Sequence, residues 1–172
     1  GNLISKTQKL GFEVLTLKEK RKGSLGNKPK QPEYIRWLGT DWKTDAMETL
    51  QVLKSSRPDW LVVDHYGLES RWEKKLRACC KKIMVIDDLA DRDHSCDLLL
   101  DQNLVAGLEN LHQERVPPNC TLLLGNQYAL LQNIYAELHP CAPPRLGPIR
   151  RLLVFFGGAD HKHLVLNTIE AF

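Results

Sequence analysis

Four short apolar runs in this chain each end in polar groups or a glycine, and none of them alternates apolar with polar residues. Trp60-Leu61-Val62-Val63 runs into Asp64-His65-Tyr66-Gly67. Ile83–Ile86 ends in Asp87-Asp88, Asp97–Leu100 in Asp101-Gln102-Asn103, and Thr121–Leu124 in Gly125. Strands that lack alternation are buried on both faces, as in a parallel sheet covered by helices. Amphipathic segments lie between them, so the expected fold is α/β, a doubly wound, Rossmann-like parallel sheet.

The flanking elements follow from local signals. Residues 2–9 read as the tail of a helix closed by Gly11, and Phe12–Leu17 as a strand. Thr44 is placed to cap a helix running to about Ser56, with Ala46, Met47, Leu50 and Leu53 on one face and Pro58 beyond its end. Ser70-Arg71-Trp72-Glu73 has the spacing of a capping box, opening a helix with Trp72, Leu76 and Cys79/Cys80 on one side. Pro140, Pro143, Pro144 and Pro148, with Gly147 among them, mark a linker. Leu152–Phe156 then reads as a new strand, Gly157-Gly158-Ala159-Asp160 as a turn, and His163 onward as a helix. The expected organisation is an N-terminal domain over 1–138, a linker over 139–150 and the start of a second domain over 151–172.

Composition excludes several classes of function. A net charge of +3 is too small to imply nucleic acid. The cations Lys18, Lys20, Arg21, Lys22, Lys28 and Lys30 gather in one Gly- and Pro-containing segment. That segment reads as a solvated loop, with an anion-attracting rim on a phosphate-binding cleft as the alternative. No apolar run reaches the roughly 18 residues of a membrane span, and no signal peptide is visible. The cysteines number 5, an odd count without a C-x-x-C pair, which fits reduced thiols and a cytoplasmic location.

In open α/β sheets ligands bind outside the carboxyl ends of the strands. The polar groups there are Asp64, His65 and Tyr66, then Asp87 and Asp88, then Asp101, Gln102 and Asn103. A strand-tip Asp holds backbone N–H groups or an imidazole, and His passes protons near neutrality. Tyr offers a flat face to a sugar and a hydroxyl to its oxygens, and Gly67 allows a sharp turn. Asp87 and Asp88 are alternatively caps for a following turn. His94 and Cys96 lack the convergent ligands a metal site needs and read as a polar loop cluster, so no metal is expected. His161 and His163 read as surface histidines. Gly157, Gly158 and Asp160 form a turn that lets backbone approach a diphosphate at a helix N-terminus.

These motifs together resemble the UDP-sugar hydrolases of pseudaminic acid synthesis, the UDP-2,4-diacetamido-2,4,6-trideoxy-β-L-altropyranose hydrolases. The resemblance is collinear. It rests on Trp37-Leu38-Gly39 with Asp45-Ala46, Val63-Asp64-His65-Tyr66-Gly67, and the run from Ile86 through Asp91-Arg92, His94 and Cys96-Asp97 to Gln102-Asn103. Leu123-Leu124-Gly125 with Tyr128-Ala129-Leu130-Leu131, and Phe156-Gly157-Gly158 with Asp160, complete it.

The resemblance implies a glycosyltransferase-B-like architecture similar to the MurG transferases, in which two Rossmann-like domains face each other across a UDP-sugar cleft. It implies hydrolysis at the anomeric carbon with inversion, releasing UDP and a free amino sugar. The alternatives are a related transferase and a non-catalytic sugar-nucleotide-binding fragment. The family tyrosine falls on Tyr66, with His65 and Asp64 beside it as further catalytic candidates. Asp87, Asp88 and Asn103 fall on the substrate wall, and Gly157, Gly158 and Asp160 on the nucleotide site. The expected partner is a UDP-sugar, with no cofactor, nucleic acid or membrane; the oligomeric state is open. The family's N-terminal glycine-rich loop with its histidine has no counterpart, and only the first part of the nucleotide-binding domain does. The chain is therefore expected to be a piece of a longer enzyme and to be inactive alone.

Overall fold

The computed structural model describes residues 3–17, 32–144, 146–156 and 164–171. The chain divides into two compact units, Gly1–Leu130 and Leu131–Phe172. The basic segment expected as a loop lies outside the described residues.

The first unit holds a parallel sheet of four strands: β1 Trp60–Val63, β2 Lys82–Ile86, β3 Leu98–Asp101 and β4 Thr121–Leu124. Val63 pairs with Val85, Val85 with Leu99, and Leu99 with Leu122, so the strand ends lie level. This is the expected α/β, Rossmann-like class. The strands follow in the order β1-β2-β3-β4. The reversal of order that double winding requires does not occur among the described strands.

Helix α1 spans Ile4–Lys9, α2 Trp42–Leu53, α3 Ser70–Leu76 and α4 Leu108–Gln113. Ala46, Leu76, Ile83 and Leu99 are completely buried, and Val63, Leu68, Trp72, Val85 and Cys96 join them in one core. Each buried Leu or Ile contributes roughly 2 kcal/mol of apolar transfer. One polar tie crosses this layer. Trp72 Nε1 donates to Asp45 Oδ1 at 2.7 Å, pinning α3 to α2.

Two caps differ from their sequence expectation. Asp41, not Thr44, caps α2: its carboxylate accepts from the N–H groups of Lys43 and Thr44, and the Thr44 hydroxyl donates to it at 2.6 Å. Helix α2 ends at Leu53, short of Ser56. The Ser70 capping box does not form. Glu69 occupies the cap position, Ser70 is the first helical residue, and Glu73 is turned into the core. A buried carboxylate finds stronger donors there than the exposed end of its own helix provides.

Two expected strands are absent. Phe12–Leu17 and Leu152–Phe156 have no ladder partners among the described residues and no regular structure. Phe12, Leu15, Leu153 and Phe155 are exposed. A strand is stable only where its N–H and C=O groups meet another strand, and neither segment is paired with one. The second unit contains α5 Asn133–Leu138 and α6 Leu164–Glu170, the latter in the region expected to be helical.

Candidate functional site

The loops after β1, β2 and β3 bring their polar groups together. The chain leaves β1 at Val63 and turns at once. His65 Nδ1 accepts the Gly67 N–H at 2.9 Å, and Leu68 N donates to the His65 carbonyl at 3.1 Å. In neutral His65 this places the proton on Nε2. A Cβ on Gly67 would stand 3.0 Å from His65 Cε1 and 3.2 Å from Leu38 Cβ, so glycine permits the close approach of ring and loop. Asp64 is exposed, and its charge raises the Tyr66 pKa less than Asp88, burial and Asp87 do.

Tyr66 reaches across to the end of β2. Its hydroxyl donates to Asp88 Oδ1 at 2.7 Å, and Asn103 Nδ2, beyond β3, donates to Asp88 Oδ2 at 3.3 Å. Three strand ends thus meet on one exposed carboxylate. The hydrogen bond to Asp88 is the main reason the Tyr66 phenol is pushed up to about 12. Burial and the charges of Asp88, Asp87 and Asp64 act in the same direction.

Asp87, one residue earlier, points the other way and is 1% exposed. Its carboxylate accepts the Ala90 N–H at 3.1 Å, holding the turn in which Ala90 adopts φ 51°, and it pairs with Arg92. The turn-capping alternative therefore holds for Asp87. Asp88 caps nothing and remains exposed. Arg92 is further fixed by donating from Nε to the Leu68 carbonyl at 3.0 Å and from Nη1 to Asp91 at 2.9 Å. Its guanidinium lies 5.8 Å from the Tyr34 ring centroid and 5.7 Å from that of Tyr66, within cation–π range. Tyr34, Trp37 and Tyr66 form an aromatic cluster with centroids 5.9 to 6.5 Å apart, and the Tyr34 hydroxyl donates to Asp91.

Behind this wall lies a buried ionic network. His94 Nδ1 is 2.7 Å from Glu73 Oε1, and the other Glu73 oxygen accepts the Ser95 N–H. His94 Nε2 stands 3.7 Å from Asp87 Oδ2, an ion-pair separation too long for a hydrogen bond. Burial disfavours a charged His94, but Asp87 and Glu73 outweigh it and hold its pKa at about 9. Burial likewise disfavours ionised Asp87, and His94, Arg92 and the Ala90 N–H outweigh it, bringing the carboxyl down to about 2. Two carboxylates and two cations balance across Glu73, His94, Asp87 and Arg92. A second buried pair closes β3, where Asp101 accepts from His112 Nε2 at 3.0 Å and from the Asn103 N–H at 2.9 Å.

Tyr66, Asp88 and Asn103 are thus brought together, with His65 and Asp64 on the same turn. Asp87 supports them from within. Gly157, Gly158 and Asp160 lie outside the described residues. His94 lies in a polar loop cluster, as expected, but the cluster is buried: His94 is 5% exposed and belongs to the core network. Among the described residues no group of three or more His, Cys, Asp or Glu is placed to hold a metal ion. The sequence does not mark Glu73 as a partner of His94, His112 as a partner of Asp101 or Tyr34 as a partner of Asp91. Glu73 and His112 carry one signal, a polar residue standing where a helix periodicity calls for an apolar one, and Tyr34 carries none.

No family model matches the chain. It is 29% identical over 121 residues to the UDP-2,4-diacetamido-2,4,6-trideoxy-beta-L-altropyranose hydrolase of Campylobacter jejuni, covering 70% of this chain and 42% of that protein. It is 22% identical over 130 residues to an uncharacterized protein of Methanocaldococcus jannaschii, covering 74% of this chain and 27% of that one. The chain spans less than half the length of either relative.

Proposed function

We propose that this chain carries the sugar-facing wall of an enzyme that hydrolyses a UDP-linked 2,4-diacetamido-2,4,6-trideoxy sugar at its anomeric carbon, releasing UDP and the free sugar. The observation that carries this reading is the meeting of Tyr66, Asp88 and Asn103, from three successive strand ends, on one exposed carboxylate. The similarity to the Campylobacter hydrolase runs in the same direction.

The chemistry of each group suits the task. Hydrolysis needs a carboxylate or imidazole to take a proton from water as it attacks, and neutral donors to hold the sugar. Asp88 is an exposed carboxylate already oriented by two donors, so a sugar hydroxyl or acetamido N–H meets a fixed acceptor. Tyr66, held protonated far above neutrality, supplies a neutral hydroxyl and a flat ring face. With its Nδ1 lone pair taken by the Gly67 N–H, His65 presents an Nε2–H donor to a sugar or leaving-group oxygen, and Asp64 stands exposed beside it as a candidate base. Asp87 and Arg92 act on the site only by positioning Tyr66 and the β2 loop.

Product analysis tests the reading. The full-length protein is incubated with the UDP-sugar and no acceptor, and the mixture is followed by NMR. Free sugar of inverted anomeric configuration together with UDP is expected. Consumption only when an acceptor is added, or none at all, overturns it.

A further inference from the structure

At the opposite end of the sheet from the strand tips, Cys96 precedes β3 and Cys120 precedes β4. Their sulfurs are 3.6 Å apart, within van der Waals contact. The two thiols differ in setting. Cys96 is buried, while Cys120 is half-buried and lines a cleft of about 560 Å³ together with Val116, Pro117, Pro118 and Leu122. A cleft of that size admits a molecule far larger than water, which occupies about 30 Å³.

We propose that Cys96 and Cys120 form a redox dithiol, in which Cys120 is oxidised first by a hydroperoxide reaching it through the cleft and Cys96 then closes a disulfide onto it. The Cys120 thiolate attacks the terminal oxygen of the hydroperoxide. The O–O bond breaks, Cys120 becomes a sulfenic acid, and the alcohol (water, for hydrogen peroxide) leaves after taking a proton. The Cys96 sulfur then attacks the Cys120 sulfur. The S–O bond breaks, and the departing hydroxide takes the proton that Cys96 gives up. The dithiol loses two electrons, and the peroxide gains them.

The geometry assigns the order of events. The sulfur with access to solvent is that of Cys120, and the buried one is positioned only to resolve. Closing from 3.6 Å to a bond of about 2.05 Å asks for about 1.5 Å of sulfur movement, within reach of side-chain rotation. The electrostatics agree. The hydrogen bond between the thiols is the main reason the Cys120 thiol is lowered and the Cys96 thiol raised. Cationic His94 also lowers Cys120, while its partial burial and Asp97 oppose the shift. A thiolate is the reactive form.

Native protein is treated with one equivalent of hydrogen peroxide, blocked with N-ethylmaleimide under denaturing conditions and mapped without reduction. The expected product is a peptide joined through Cys96 and Cys120, and the intact protein weighed before blocking should be about 2 Da lighter, as for loss of two thiol hydrogens. Cys96→Ser is expected to abolish the cross-link and to leave Cys120 as a sulfenic acid that dimedone traps. If Cys96 and Cys120 stay reduced while exposed Cys141 oxidises, or if Cys120 joins Cys79, Cys80 or Cys141 instead, the proposal is wrong. The wild-type map decides the matter even if the serine variant does not fold.

Discussion

Glu73 and His94, 21 residues apart in sequence, share a 2.7 Å hydrogen bond with both side chains shielded from solvent. The bond fastens α3 to the loop between β2 and β3. Removing one partner of a buried ion pair leaves the other charge uncompensated, which costs about 3–5 kcal/mol. Glu73→Gln keeps the shape and deletes the charge. It is expected to destabilise the protein by about 3 kcal/mol in urea denaturation with an unchanged m-value. A loss below about 1 kcal/mol would mean that the network adds little to stability.

The same network predicts how stability varies with pH. His94 is raised from 6.5 to about 9, so its contribution is complete below pH 6.5 and is lost as pH rises through about 9. The amount is on the order of 3 kcal/mol. Asp87 is lowered from 3.8 to about 2, so its contribution is complete above pH 3.8 and is lost as pH falls towards 2. The two share one contact and their contributions do not add. Denaturation midpoints are expected to fall steadily between pH 6.5 and 9. The fall should flatten in His94→Asn, measured against wild type over the same range.

These residues also mark where sequence reasoning reaches its limit. The strand ends were readable because a doubly buried strand has a composition of its own and its exit is a polar break. Trp60–Val63 and Thr121–Leu124 are observed with those bounds. Leu152–Phe156 has the same composition and Phe12–Leu17 is apolar apart from Glu13 and Thr16, but a strand also needs a partner in register, and composition carries no information about that. Glu73 matched a local capping pattern because Ser-x-x-Glu is common. Its true partner lies in another loop, and only the folded chain brings the two together. Tyr66 and Asp88 were each legible as strand-tip groups, whereas their hydrogen bond was not.

That hydrogen bond has its own test. Tyr66 is held at about 12 chiefly because its hydroxyl donates to Asp88. Asp88→Asn replaces a charged acceptor with a neutral one and removes one of the carboxylates that oppose phenolate formation. Spectrophotometric titration of the tyrosines near 295 nm is expected to show one phenol moving down towards 10 in Asp88→Asn. Tyr34 is raised as well, mainly by burial and by Asp91, so the moving phenol is identified as the one missing in Tyr66→Phe. An unchanged titration curve would exclude the Tyr66–Asp88 bond in solution.

Arg92 joins the buried network to the aromatic face, and its role depends on guanidinium shape. One side chain, 10% exposed, pairs with Asp87, donates to the Leu68 carbonyl and to Asp91, and lies over both Tyr34 and Tyr66. A lysine ammonium keeps the charge but cannot place donors in so many fixed directions or stack flat on a ring. Arg92→Lys therefore leaves buried acceptors unpaired, at a cost of about 2 kcal/mol or more. It should also loosen the tyrosine rings. The expected outcome is a lower urea midpoint together with a weaker near-ultraviolet dichroism signal from the Tyr34–Trp37–Tyr66 cluster. If charge alone mattered, Arg92→Lys would stay within about 0.5 kcal/mol of wild type, as ordinary surface substitutions do. Both readouts would then be unchanged.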